Sequence, residues 1–219
     1  IISMNRSAYN DLISWKENKD RKPLILQGAR QVGKTYLVKE FGKQEYKNLY
    51  YLNFEQDPNL SSLFESSINP EIIINNINLY IGVKIVAEDT LLFFDEIQIA
   101  PRVLTCLKYF QEQAPDFHII AAGSLLGISV GKDSSFPVGK VNFLSLYPMS
   151  FTEYLMEIGE ELFVESLNSL EEPTPFPDAI HNKMLSHLKM YLFLGGMPEV
   201  VKAYTENKDI IEVRNIQTD

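Results

Sequence analysis

Five short apolar runs punctuate the first two-thirds of the chain, with helix-patterned stretches between them. The runs are 24–27 (LILQ), 49–54 (LYYLNF), 91–96 (LLFFDE), 117–123 (FHIIAAG) and 141–148 (VNFLSLYP). Their branched and aromatic side chains suit strands. Between the first four lie segments of helical character, 34–42, 70–82 and 101–113, and the last two open on Pro70 and Pro101. Proline suits a first helical turn because its missing N–H has no partner there anyway. Tyr9, Leu12, Ile13 and Lys16 predict a further helix over 7–17, ended by Arg21–Lys22–Pro23. Near-continuous apolar strands alternating with helices predict an α/β fold, with a parallel sheet buried on both faces. The stretch 131–140 (GKDSSFPVGK) interrupts the pattern, as an exposed hairpin or insertion would.

After Pro148 the periodicity changes. Ser150 followed by Glu153 is a capping-box signature, and it predicts a helix over 150–167. The three prolines of 171–179 (EEPTPFPDA) predict a loop. From 180 to 205 the pattern is helical, broken at 194–199 (LGGMPE). Two domains follow from this: 1–148, a core with an N-terminal helix, and 149–219, a small helical unit. The chain opens on Ile1–Ile2 rather than Met and stops while still helical, so more sequence is expected on both sides.

Composition narrows the class. The content of 45% hydrophobic and 22% charged residues is that of an ordinary globular protein. No apolar run approaches the roughly 18 residues of a membrane span. One cysteine, Cys106, excludes an internal disulfide and fits a reducing cytoplasm. His118, His181 and His187 have no metal-ligand spacing and read as solvated or capping residues. The net charge of −9 is uneven: residues 153–219 carry 13 acidic and five basic side chains. Such a region repels a phosphate backbone, so direct nucleic-acid binding by this part is not expected.

The chemistry starts at Gly28-Ala29-Arg30-Gln31-Val32-Gly33-Lys34-Thr35, which fits the phosphate-loop pattern G-x-x-x-x-G-K-[ST]. Gly28 and Gly33 allow positive φ and close backbone approach, so successive N–H groups can form one anion nest. The helix starting near Lys34 adds its positive dipole end. Lys34 is expected on the β- and γ-phosphates of a nucleotide and the Thr35 hydroxyl on Mg²⁺. Gly28 through Thr35, with the adjoining Tyr36, form the candidate nucleotide-binding set. A second half is expected where another buried strand ends, and LLFFDE supplies Asp95 and Glu96. Asp95 suits Mg²⁺ through its water shell, and Glu96 can orient and deprotonate a hydrolytic water.

Ser124, in AAGSLLG, could touch the γ-phosphate or the attacking water, or be simply a serine in a glycine turn. Asn53 and Glu55 share the carboxyl edge where open α/β sheets bind ligands, and they read equally as turn-forming polars. Phosphoryl transfer often recruits an arginine. Of the five arginines, Arg30 lies in the loop and Arg102 follows Glu96. Either could serve its own site or a neighbour's, or be plain surface.

Taken together, strand–GARQVGKT–helix, LLFFDEIQ, AAGSLLG, SFPVGKVNFLSLYPMSFTEYL and GGMPEVV resemble the bacterial and archaeal AAA-type P-loop ATPases. Within them the chain is similar to the subgroup with a C-terminal domain of unknown function. The resemblance runs from about residue 6 to the end. It implies a P-loop NTPase three-layer sandwich with sheet order 5-1-4-3-2, Ser124 beside both Gly33 and Asp95, and a helical lid after residue 148. It also implies that the Gly196-Met197-Pro198 turn approaches the adenine, making Pro198 a nucleotide-binding candidate. The chain departs from the pattern in having no arginine between 149 and 205, where many such lids sense the γ-phosphate.

The expected activity is Mg²⁺-dependent ATP hydrolysis driving a slow conformational switch, with Glu96, Lys34 and Ser124 catalytic, Thr35 and Asp95 on the metal, and ATP/ADP as the nucleotide. The alternative is a non-hydrolysing, nucleotide-dependent interaction module. Expected partners are another protein or the chain's own C-terminal domain, and a homo-oligomer is a further option. A P-loop kinase is disfavoured because Glu96 suits a water nucleophile. Adenine over guanine rests on the resemblance and on the lack of an N-K-x-D motif.

Overall fold

The computed structural model describes residues 6–124, 139–170, 172 and 174–218. The 131–138 portion of the expected insertion lies outside the described residues, as do Leu125–Gly127 of AAGSLLG. The chain divides into two compact units, one of Ala8–Leu146 and one in which Arg6 and Ser7 join the chain from Tyr147 onward.

In the first unit the order is α1 (Ala8–Glu17), β1 (Leu24–Gly28), α2 (Lys34–Glu45), β2 (Asn48–Asn53), α3 (Ser62–Glu65), α4 (Pro70–Ile81), β3 (Thr90–Asp95), α5 (Pro101–Gln113), β4 (His118–Ser124) and β5 (Asn142–Ser145). All pairings in the five-stranded sheet are parallel. The neighbour order is β2-β3-β4-β1-β5, which read from the β5 edge is 5-1-4-3-2. Every residue of β3 is buried, as an interior strand covered on both faces requires. Edge strand β2 is only partly buried, which explains why its sequence carries two tyrosines and two asparagines.

Local signals account for the helix boundaries. The Asn69 side chain accepts from the Glu71 N–H, Pro70 follows at the first turn, and Gly82 at φ +73° ends α4. On one face of the sheet Phe54, Phe64 and Phe94 pack edge-to-face with centroids 5.5–6.3 Å apart. Ile73, Ile77, Leu107 and Phe110 close this core from α4 and α5. Leu37, Val38 and Phe41 form the buried face of α2. The expected strand 141–148 is shorter than its apolar run. Leu146 still donates to the Gln27 carbonyl at 2.8 Å, and Pro148 follows two residues later.

In the second unit the elements are α6 (Phe151–Glu157), α7 (Glu161–Asn168), α8 (Asp178–Leu194), α9 (Pro198–Asn207) and α10 (Ile210–Thr218). The Ser150–Glu153 capping box is formed in both directions. The single helix expected over 150–167 is two, because Gly159 at φ +80° leaves the helical region and separates α6 from α7. Glu153 also accepts from Arg6 Nε at 3.3 Å and from the N–H and hydroxyl of Ser7 at 2.8 and 2.9 Å. Met149, Tyr154, Leu194, Val200, Val201 and Val213 form a separate core. The break at LGGMPE falls where Gly195 at φ +74° ends α8, and a Cβ on the next residue, Gly196, would meet the Met149 carbonyl oxygen at 2.4 Å.

Candidate functional site

At the carboxyl end of β1 the chain turns through the loop 29–33 into α2. Gly28 pairs with Ser124 of β4, and a Cβ there would meet the Leu146 carbonyl oxygen at 2.3 Å, so only glycine fits. Ala29, Arg30 and Gln31 form an exposed crest, pinned by the fully buried Val32. Gln31 and Gly33 take positive φ, +63° and +91°. Gly33 caps α2 without a side-chain hydrogen bond, so the first N–H groups of the helix are left to point at a ligand. Lys34 is buried, and its Nζ donates to the carbonyl oxygens of Gly28 (3.0 Å) and Ala29 (2.7 Å). Burial lowers its pKa, while the charges of Glu96 and Asp95 act in the opposite sense. Tyr36 stands exposed in the first turn of α2.

The second half of the site ends β3. Asp95 is 1% exposed, and its Oδ2 accepts from Thr35 Oγ1 at 2.7 Å and from the Tyr51 hydroxyl at 3.1 Å. Its Oδ1 accepts from the Glu96 N–H at 3.1 Å. Burial pushes the Asp95 carboxyl above its ordinary range, against the hydrogen bonds from Thr35 and Tyr51. Glu96 is half-buried, with its carboxylate accepting from Gln98 Nε2. Its φ of +57° is left-handed, a conformation costing a non-glycine residue on the order of 1–3 kcal/mol. Gln31 and Glu96 are two of the three described non-glycine residues with positive φ, so backbone strain concentrates where the two motifs meet.

Thr35 and Asp95, 60 positions apart, are therefore in direct contact, and Lys34 and Glu96 flank them in sequence. Ser124 closes β4 between β1 and β3, opposite Gly28 rather than Gly33. On the β3 side the pairing stops at Phe94 with Ala121, three residues before Ser124. Asn53 pairs with Asp95 in register, and its Oδ1 accepts from the N–H groups of Glu55 and Gln56, so it does form the turn. Glu55 is exposed. Arg30 and Arg102 are exposed, whereas Arg21 is engaged with the Lys16 and Pro115 carbonyls. Pro198 is buried at the first turn of α9, within the second unit.

Sequence reasoning missed Tyr51, Lys39 and Gln98. Tyr51 lies two residues before Asn53, so both face the same way on β2. Asn53 Nδ2 donates to the Tyr51 hydroxyl at 2.8 Å, and Lys39 Nζ sits 3.6 Å from the ring centroid. A tyrosine in an apolar strand reads as packing, and only its hydrogen bond to Asp95 marks it. Chemically, the arrangement offers an anion nest with a buried ammonium, a hydroxyl–carboxylate pair able to take a hard cation, and an adjacent carboxylate.

A family model described as an AAA domain matches residues 20–155, more than half of the chain. No curated protein matches the sequence. Among solved structures, the chain is similar to one in the Drosophila ORC bound to DNA, with a TM-score of 0.52 and 16% identity. That match covers 95% of this chain and 59% of the other. It is also similar to PH0952 of Pyrococcus horikoshii, a Signal Transduction ATPase with Numerous Domains protein with a tetratricopeptide repeat sensor. There the TM-score is 0.50 and the identity 14%, over 98% of this chain and 33% of the other. Both are likenesses of fold, and the chain spans less than two-thirds of either relative.

Proposed function

Because the chain belongs to the AAA domain family, we propose that it binds ATP with Mg²⁺ at the Gly28–Tyr36 loop and hydrolyses it, with Glu96 activating the attacking water. The observation that carries this reading is the Thr35–Asp95 contact at 2.7 Å, beside a strained Glu96 and a buried Lys34. The residues fit the group they would hold. The Thr35 hydroxyl and the Asp95 carboxylate are oxygen donors of the kind Mg²⁺ prefers, and they would hold it there. Bound there, Mg²⁺ would supply positive charge against the β- and γ-phosphates.

The chain's own groups do the rest. The N–H groups at the start of α2 bind phosphate oxygens. Lys34 exchanges its loop carbonyls for the β- and γ-phosphates. Glu96 takes a proton from the water as the water oxygen bonds to the γ-phosphorus. The bond from that phosphorus to the β–γ bridging oxygen breaks, so that ADP leaves with the electron pair and inorganic phosphate is released. Ser124, at the tip of the strand between the two motifs, is the candidate for contacting the γ-phosphate. Hydrolysis drives a conformational switch passed to another protein or to the chain's own C-terminal domain, and the acidic 153–219 region disfavours direct nucleic-acid binding by that part.

Phosphate release from ATP tests the reading, with Lys34→Ala and Glu96→Gln as controls. Release by the native chain well above the Glu96→Gln level is expected. Tight ATP binding with release no faster than in Glu96→Gln would sink the hydrolytic reading. It would leave the second reading, a nucleotide-dependent interaction module, which the absence of arginine from 149–205 favours.

A further inference from the structure

Resting on the ATP–Mg²⁺ reading of the site, we propose that Tyr51 is a positioning residue for the metal-binding carboxylate of Asp95, aimed at it by Asn53. The hydrogen-bond polarity of this relay follows from its far end. Asn53 Oδ1 accepts from two backbone N–H groups, Glu55 at 2.9 Å and Gln56 at 2.8 Å. An amide oxygen engaged by two donors fixes the flip of the side chain, so the amide nitrogen is the end facing Tyr51, at 2.8 Å. That nitrogen can only donate. The phenol oxygen therefore accepts from Asn53, and its own proton goes to Asp95 Oδ2 at 3.1 Å.

The ring itself has little freedom. Lys39 Nζ sits 3.6 Å from its centroid, and the Phe93 ring packs with centroids 5.2 Å apart. Asp95 is thus held from three sides, by Thr35 of α2, the backbone of Glu96, and Tyr51 of β2. Thr35 can ligate a metal through its oxygen, and Tyr51 is a donor on Oδ2 from outside the phosphate loop. Groups that orient a metal-binding carboxylate in this way typically account for 10–100-fold in metal affinity.

The test is equilibrium ATP binding by the whole chain, titrated with Mg²⁺ and repeated in EDTA. Tyr51→Phe removes one oxygen and keeps the ring against Lys39 and Phe93. It is expected to raise the half-saturating Mg²⁺ about tenfold, with ATP affinity in EDTA unchanged. Asn53→Ala should shift the titration in the same direction, and the double variant should add little to Tyr51→Phe, since both act through one hydroxyl. A Tyr51→Phe titration overlying the native one, or full additivity in the double variant, overturns the relay while leaving the ATP–Mg²⁺ reading intact. If the native chain binds ATP without any Mg²⁺ dependence, that reading falls and the relay with it.

Discussion

The Lys34 ammonium is buried and hydrogen-bonded to the Gly28 and Ala29 carbonyls, and on the proposed reading it stands ready for phosphate before nucleotide binds. A hydrogen bond to a charged group contributes about 1.5–3 kcal/mol, so Lys34→Ala is expected to weaken ATP binding by about 10–100-fold in equilibrium titration. Glu96→Gln keeps the shape of the side chain and should leave that affinity near native while cutting turnover about 10²–10⁴-fold. His118 supplies a pH dependence of another kind. It is buried against Tyr46, whose hydroxyl lies 2.6 Å from Nδ1, and its pKa falls from 6.5 to about 4 through burial, with Arg21 and Lys16 adding to the effect. Because the folded pKa is the lower one, the unfolded chain takes up the proton first as the solution is acidified. The stability this neutral imidazole contributes is full above pH 6.5 and is lost between there and about pH 4, by up to about 3 kcal/mol. Urea unfolding of native chain and His118→Gln at pH 7.5 and 5 checks this, with the native chain losing more on acidification. The places of Lys34 and Glu96 were legible because loop spacing and strand-end position fix them. His118 and Tyr51 were not, since their partners come from other elements.

Element boundaries followed local rules wherever those rules were self-contained. Pro70, Pro101 and the Ser150–Glu153 box open helices where the sequence places them, because each acts through its own or an adjacent turn. The split at Gly159 and the short β5 were not legible, since a lone glycine is tolerated within many helices and an apolar run does not reveal how far its partner strand extends. Glu153 shows how a local signal gains a tertiary task. Its carboxylate closes the α6 cap and also receives Arg6 and Ser7, and Arg6 has a side chain only 4% exposed. Burial would raise its pKa, but hydrogen bonds from Ser150 and Ser7 and the Arg6 charge outweigh it and hold the carboxyl below 4.5. The stabilisation is therefore present above pH 4.5 and lost as pH falls through the folded value. Glu153→Ala removes the carboxylate shared by the α6 cap, Ser7 and Arg6, whose guanidinium keeps its hydrogen bond to the Tyr147 carbonyl, and should cost on the order of 1–3 kcal/mol in denaturant unfolding followed by far-ultraviolet circular dichroism. A loss under 1 kcal/mol, typical of an exposed ion pair, would show that the shared carboxylate adds no more than a surface contact.

Among the described residues each unit has buried core residues of its own, and every proposed site residue except Pro198 belongs to the Ala8–Leu146 unit. That unit also holds Trp15, the only tryptophan, which is buried with its Nε1 donating to the Lys22 carbonyl at 2.7 Å. Trp15 fluorescence therefore reports the unfolding of the unit that carries the phosphate loop. A ligand that binds only the folded form stabilises it by RT ln(1 + [L]/Kd), about 2.7 kcal/mol at one hundred times Kd. For a unit of this size that corresponds to a rise of roughly 5–10 °C in the Trp15 melting midpoint. ATP with Mg²⁺ should produce this rise in the native chain and in Glu96→Gln, where binding is kept and chemistry is lost. Lys34→Ala should show little of it at the same concentration. If native chain and Lys34→Ala shift equally, the nucleotide is held somewhere other than the Gly28–Tyr36 loop, and the assignment of that loop fails whatever the turnover.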